Sequence, residues 1–148
     1  MNGHGGELAL APLQAAGVTE IFTLSGGHIF PLYDAAVRSG VRLIDVRHEQ
    51  TATFAAEAMA KLTRRPGVVA LTAGPGVTNG VSATTTAWFN GSPLVVIGGR
   101  AGNRGWGRGA LQEFDHVPVM APITKLATTV GATSAIAEVM YTAAETAG

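Results

Sequence analysis

Residues that could do chemistry occur in three short segments, residues 25–28, 47–49 and 72–79, and each follows an apolar run. Glu49 supplies a carboxylate at the predicted start of a helix. His28 supplies an imidazole, a group that can relay protons in catalysis. Neighbouring glycines leave room for a ligand to approach the backbone, because they carry no β-carbon. The three segments therefore indicate a ligand site at which protons move.

The elements that would position these segments alternate between strand and helix along the whole chain. The residue patterns predict strands at 20–24, 42–46, 68–71, 93–97 and 124–130, and helices at 8–16, 29–38, 49–63, 77–89 and 134–147. Such alternation is typical of a mostly parallel sheet with helices on both faces, so we expect one domain with a three-layer α/β/α sandwich. Ligands bind at the carboxyl ends of the strands in these sheets, where all three segments fall.

Motifs for several other chemistries fail. His48 and Glu49 begin like the helix of a zinc protease, but Ala52 stands where the second histidine is required. The sequence contains neither a G-x-x-x-x-G-K phosphate loop nor a G-x-S-x-G hydrolase elbow. The string Gly74-Pro75-Gly76 resembles the start of a dinucleotide fingerprint, but Asn79 replaces its third glycine.

Composition excludes further classes of function. The chain has 148 residues, 47% of them hydrophobic, which is enough to build one buried core. A formal net charge of +0 argues against nucleic acid and acidic membranes as partners, despite an arginine-rich loop at residues 100–108. Cysteine is absent, no apolar run is long enough to span a membrane, and no signal peptide is recognised. We therefore expect a cytoplasmic location.

Three strings taken together resemble a known family. They are Ser25-Gly26-Gly27-His28, then Arg47-His48-Glu49-Gln50 followed by residues 54–57, then residues 72–79, and residues 109–113 and 122–125 extend the match. In this order and spacing, the chain resembles the N-terminal, pyrimidine-binding domain of thiamine-diphosphate enzymes in the acetolactate synthase and pyruvate oxidase superfamily. The resemblance runs from about residue 8 to the end of the chain, and it implies the thiamine-diphosphate-binding fold.

The resemblance implies that Glu49 is the carboxylate that activates the cofactor. In the family, a glutamate hydrogen-bonds the aminopyrimidine ring nitrogen and favours the imino form, which takes the proton of the thiazolium carbon. Judged without its neighbours, Glu49 would only complement a helix dipole. The other residues that we expect to bind the cofactor are Gly26, Gly27, Thr72, Gly74, Pro75 and Asn79. The glycines would admit the pyrimidine ring, and Thr72 and Asn79 would contact its amino group or nearby backbone.

His28 and Gln112 are the two further candidates for catalysis. Residues 24–29 are similar to the segment of benzaldehyde lyase in which a histidine faces the reacting carbons. Gln112 resembles a glutamine that reaches the active site in synthases and lyases. A helix-start histidine and an ordinary loop glutamine are the alternatives. The leading function is decarboxylation of pyruvate and condensation with a second 2-keto acid. The alternative is a carbon–carbon lyase or decarboxylase acting on aromatic hydroxyketones or on 2-hydroxyacyl or oxalyl thioesters.

Parts of the family's catalytic machinery have no counterpart in the sequence. Family enzymes bind the diphosphate and Mg²⁺ through a separate domain with a G-D-G…N motif, and this chain contains no Gly-Asp-Gly. We therefore assign no metal ligand, and FAD binding in a full-length enzyme stays open. We expect an incomplete catalyst that pairs with the diphosphate-binding domain of a second subunit in a homodimer or tetramer. A partner-binding remnant without catalysis is the third hypothesis.

Overall fold

Four parallel strands form the centre of the fold, in the order β2-β1-β3-β4. The computed structural model describes residues 3–148. The strands are β1 (Glu20–Leu24), β2 (Arg42–Asp45), β3 (Gly67–Leu71) and β4 (Leu94–Gly98). The helices are α1 (Gly5–Ala15), α2 (Phe30–Ser39), α3 (Glu49–Thr63), α4 (Pro75–Asn79), α5 (Val81–Asn90), α6 (Val117–Met120) and α7 (Ile136–Ala147), with 3₁₀ turns at Gly27–Ile29, Ala121–Ile123 and Thr133–Ala135.

The sheet is covered on both faces, and the side chains of β3 show this directly. Val68 and Ala70 belong to a hydrophobic cluster that includes residues of α1, α2 and α7. Val69 and Leu71, which alternate with them, belong to a second cluster that includes residues of α3. Because successive side chains of a strand point to opposite faces, the two clusters lie on opposite sides of the sheet. The predicted three-layer α/β/α sandwich with a parallel sheet is confirmed.

The predicted strand at residues 124–130 is wrong. A cavity of about 340 Å³, lined by β4 and by this segment, separates the two. Within residues 3–148, no ladder of backbone hydrogen bonds joins the segment to β4. The apolar and β-branched residues of the segment favour an extended chain, but a strand also needs a neighbour within hydrogen-bonding distance.

Two helices differ from their predicted bounds for local reasons. The first helix begins at Gly5, because the side chain of His4 accepts the backbone N–H of Gly6 and caps the helix. The helix predicted at residues 77–89 is divided at Gly80 into α4 and α5. A β-carbon at Gly80 would lie 2.8 Å from Cδ1 of Leu71 and 3.0 Å from Oγ1 of Thr53, so this position needs a glycine.

The strand order brings the three chemically interesting segments together. β1 lies between β2 and β3, so the carboxyl ends of these three strands are neighbours. The chain passes from β1 to β2 on one side and returns to β3 on the other side, which is the kind of switch point at which parallel sheets bind ligands. Within residues 3–148, no helix has the length and apolar character that crossing a bilayer requires.

Candidate active site

Glu49 is the first residue of α3, and its side chain is 9% exposed. His48 caps the helix, since its Nδ1 accepts the backbone N–H of Gln50 at 3.1 Å. The cap fixes the first turn of α3 directly after β2, and so holds the Glu49 carboxylate at the carboxyl edge of the sheet. A buried carboxylate at this edge needs hydrogen-bond donors.

Asn79 supplies such a donor. Its side-chain Nδ2 donates a hydrogen bond of 3.0 Å to Oε2 of Glu49. The other oxygen, Oε1, lies beside Gly76: a β-carbon at that position would be 3.7 Å from Oε1. The same β-carbon would lie 2.7 Å from Cγ2 of Thr72, so glycine at position 76 lets the backbone pass close to both Thr72 and the carboxylate. α4 contributes both features, because Gly76 lies in its first turn and Asn79 at its end.

Thr72 is the side chain that connects the glycines and the histidine of the site. Its Oγ1 shares a hydrogen bond of 3.2 Å with Nδ1 of His28. A β-carbon at Gly26 would lie 2.2 Å from that same Oγ1, and one at Gly76 would lie 2.7 Å from Cγ2 of Thr72. Thr72 is buried, so both backbone segments are packed directly against it. Close packing against Thr72 therefore explains why residue 26 is a glycine, and this explanation needs no ligand.

Gly74 forms the sharp turn before α4, with φ 61° and ψ −118°. This positive φ is unfavourable for residues other than glycine. Gln112 covers the turn: a β-carbon at Gly74 would lie 2.9 Å from the backbone oxygen of Gln112, which itself has a φ of 54°. The backbone N–H of Gly74 also donates a hydrogen bond of 2.8 Å to Nε2 of His116.

The structure brings most of the sequence-predicted residues to one place. Glu49 and Asn79 are in contact, His28 contacts Thr72, and Gln112 packs on Gly74. Gly27 differs, because a β-carbon there would meet nothing within 4 Å. Pro75 is exposed in the first turn of α4. His116 was missed by the sequence analysis, and no signal in the sequence connects it with a glycine 42 residues earlier.

Comparison with known proteins identifies the family. The model of the family "Thiamine pyrophosphate enzyme, N-terminal TPP binding domain" matches residues 3–119, well over half of the chain. The acetolactate synthase large subunit IlvG of Mycobacterium tuberculosis is 59% identical over 126 residues, which are 85% of this chain and 23% of that protein. The human 2-hydroxyacyl-CoA lyase 2 is 49% identical over 127 residues, 86% of this chain and 20% of that protein.

The chain matches only part of each of these relatives. The chain spans less than a quarter of each, and the family match covers β1 to β4 together with the turns that carry Glu49, Thr72 and Gly74. The chain belongs to the thiamine pyrophosphate enzymes and corresponds to their N-terminal TPP-binding domain.

Proposed function

We propose that this domain binds the aminopyrimidine half of thiamine diphosphate and that Glu49 activates the cofactor. The observation that carries the proposal is the Glu49 carboxylate, which is buried, held at Oε2 by Asn79, and accepts no hydrogen bond at Oε1 from any residue within 3–148. A carboxylate oxygen without a donor suits a flat ring whose nitrogen shares a proton with it. The residues present therefore fit the pyrimidine of the cofactor.

The chain's own residues have distinct tasks in this proposal. When bound, thiamine diphosphate supplies a nucleophilic thiazolium carbon that can stabilise carbanions. Glu49 holds the proton shared with the pyrimidine ring nitrogen, and Asn79 keeps the carboxylate oriented. Thr72 and Gly74 fix the backbone around the ring. Gly26, Gly27 and Pro75 line the same edge of the sheet, and Gln112 covers it.

We infer that the whole enzyme is an acetolactate synthase, which decarboxylates pyruvate and joins the remaining two-carbon unit to a second 2-keto acid. The identity of 59% to the mycobacterial synthase supports this reaction and a place in branched-chain amino acid biosynthesis. The diphosphate-binding domain of a second subunit would complete the site in a homo-oligomer. We propose that the same domain binds Mg²⁺ together with the diphosphate.

A lyase acting on 2-hydroxyacyl thioesters is the second candidate, and His28 is the observation that favours it. Thr72 holds Nδ1 of His28, which leaves Nε2 to exchange a proton with a substrate. An imidazole so placed can serve as an acid or a base in carbon–carbon bond cleavage. The identity of 49% to the human 2-hydroxyacyl-CoA lyase 2 gives this reading independent support.

Chimeric enzymes test both candidates. The chain would replace the matching N-terminal segment of the mycobacterial synthase and, separately, of the human lyase. We expect acetolactate formation in the first host and no thioester cleavage in the second. The opposite pattern would favour the lyase. Activity in neither host, with both chimeras folded and oligomeric, would favour a remnant that only binds partners.

The Glu49→Gln variant of the active chimera tests cofactor activation itself. We expect proton–deuterium exchange at the thiazolium carbon to fall by about 100-fold or more, within the range for loss of an acid–base group. Glu138→Gln is the matched control, because Glu138 is also in the first turn of a helix but is exposed on α7. Unchanged exchange in Glu49→Gln would disprove the assignment.

A further inference from the structure

His116 contacts the candidate active site through the backbone of Gly74, the residue that precedes α4. Its Nε2 accepts the backbone N–H of Gly74 at 2.8 Å. A ring nitrogen can accept only when it carries no proton, so His116 must be neutral, with its hydrogen on Nδ1. The edge of its ring packs against Phe114 at a centroid distance of 5.5 Å. The imidazole is therefore fixed in one orientation by two contacts.

The Gly74 turn determines where α4 lies. Gly74 is the residue that precedes α4, and its φ of 61° and ψ of −118° turn the chain from the end of β3 into that helix. Because α4 is only five residues long, a shift of the Gly74 backbone would also move Asn79 at the far end of the helix. Asn79 in turn holds Oε2 of Glu49. The path from His116 to the Glu49 carboxylate thus consists of one hydrogen bond, one short helix and a second hydrogen bond.

We propose that His116 is a positioning residue of this site, which holds the Gly74 turn and α4 in place only while its imidazole is neutral. A proton on Nε2 would turn the acceptor into a donor that faces another donor, the Gly74 N–H. The hydrogen bond would then be lost and the turn released. The catalytic meaning of this inference rests on the proposed role of Glu49, whereas the hydrogen bond and its loss on protonation do not.

The charges around His116 set the pH range of the effect. Burial lowers the pKa of His116 from its ordinary value of 6.5; the neighbouring Asp115 raises it and Arg100 lowers it. Arg100 comes from the loop after β4, where its guanidinium stacks on Trp106 at 3.6 Å and donates to Asn103 at 2.8 Å. Since the net pKa is lowered, the neutral imidazole persists to below pH 6.5 and the turn is released only under more acidic conditions.

Nuclear magnetic resonance of the ¹⁵N-labelled chain tests the proposal without any cofactor. An N–H···N hydrogen bond transmits a scalar coupling between its two nitrogens. We expect a coupling between the Gly74 amide nitrogen and Nε2 of His116 at neutral pH. It should vanish in acid, with a midpoint below 6.5. The amide signals of Gly74, Gly76 and Asn79 should shift with the same midpoint.

His116→Gln distinguishes positioning from a general structural role. A glutamine side chain can still accept the Gly74 N–H through its amide oxygen but does not titrate. We expect it to keep the fold and the neutral-pH signals while the acid transition of Gly74, Gly76 and Asn79 disappears. His4→Gln is the matched control: His4 also accepts a backbone N–H, from Gly6, but lies at the start of α1. It should leave the Gly74 transition unchanged.

Two results would overturn the proposal: a Gly74 amide that does not titrate in the unsubstituted chain, or one that titrates equally in His116→Gln. If His116→Gln fails to fold, the coupling and the midpoint in the unsubstituted chain decide alone. Neither measurement involves thiamine diphosphate. Failure of the Glu49 assignment in the chimera would therefore leave this result intact, and failure here would leave Glu49 untouched.

Discussion

The side-chain amide of Asn79 donates a 3.0 Å hydrogen bond to Oε2 of Glu49, and so ties the end of α4 to the first residue of α3. Within residues 3–148 it is the one hydrogen bond that the Glu49 carboxylate accepts. Glu49 is buried, whereas Asn79 is mostly exposed. A buried charged acceptor depends strongly on each donor that it has. Stability and cofactor activation should therefore both depend on this contact.

A double-mutant cycle measures how much the contact stabilises the fold. We expect Asn79→Ala to lower the free energy of unfolding by about 1–3 kcal/mol, the usual cost of leaving a buried group without its partner. In a Glu49→Ala background the same change should cost much less, because the acceptor has gone. Urea denaturation of the four chains gives the coupling. Equal costs of Asn79→Ala in both backgrounds would contradict the expectation.

Two adjacent glycines provide a matched pair for the packing around Thr72. A β-carbon at Gly26 would lie 2.3 Å from the β-carbon of Thr72, whereas one at Gly27 would meet nothing within 4 Å. We expect Gly26→Ala to destabilise the chain by about 1–3 kcal/mol, as overpacking of a buried site does, and Gly27→Ala to change stability little. Thermal unfolding of both variants checks this. Loss of stability in Gly27→Ala alone would refute the structural reason given for Gly26.

The bounds of a helix or strand could be predicted from the sequence where the local residue pattern alone determines them. β1 (Glu20–Leu24) and α3 (Glu49–Thr63) have the bounds that their apolar patterns predict. The position of Glu49 at the edge of the sheet could then be predicted, because the chain between the end of β2 and the start of α3 is short. The parallel sheet followed from the alternation of strands and helices, which confines the polar segments to one edge.

Contacts between distant segments could not be predicted in this way. Residues 124–130 have the composition of a strand, but nothing in their own sequence shows that a cavity separates them from β4. The bond from Gly74 to His116 joins residues 42 positions apart, and it depends on the path of the loop after β4. The hydrogen bond between Asn79 and Glu49 joins residues 30 positions apart on two different helices, and neither helix pattern reveals it.

Glu57 is a second buried acidic side chain of α3, and it contacts residues other than those of the candidate site. It is 5% exposed on α3 and accepts hydrogen bonds from Asn90 at 2.9 Å and Ser92 at 3.1 Å, and it pairs with Lys61 at 2.8 Å. Burial raises the pKa of Glu57, but the bonds from Lys61, Asn90 and Ser92 and the charge of Lys61 bring it below its ordinary value of 4.5. The folded chain therefore favours the ionised carboxylate.

The sign of the pH dependence follows from that lowered pKa. The stabilisation is fully present above pH 4.5, the ordinary value, and is lost as the pH falls through the lower folded value. We expect Glu57→Gln to cost about 1–3 kcal/mol at neutral pH, since charge-assisted hydrogen bonds are lost. The difference from the unsubstituted chain should narrow in acid. Urea denaturation across this pH range measures it, and a difference that stays constant or widens in acid would contradict the account.

The isolated 148-residue chain should bind thiamine diphosphate no better than it binds thiamine. In the proposed division of the active site, the residues around Glu49 would contact only the pyrimidine ring, and a second domain would bind the diphosphate and its metal ion. Titration calorimetry with each ligand, with and without Mg²⁺, makes the comparison. We expect dissociation constants of about 1 mM or weaker, equivalent to roughly 4 kcal/mol or less, and no effect of Mg²⁺. Magnesium-dependent binding in the micromolar range would mean that this chain binds the diphosphate itself, and the division of the active site between two domains would then have to be abandoned.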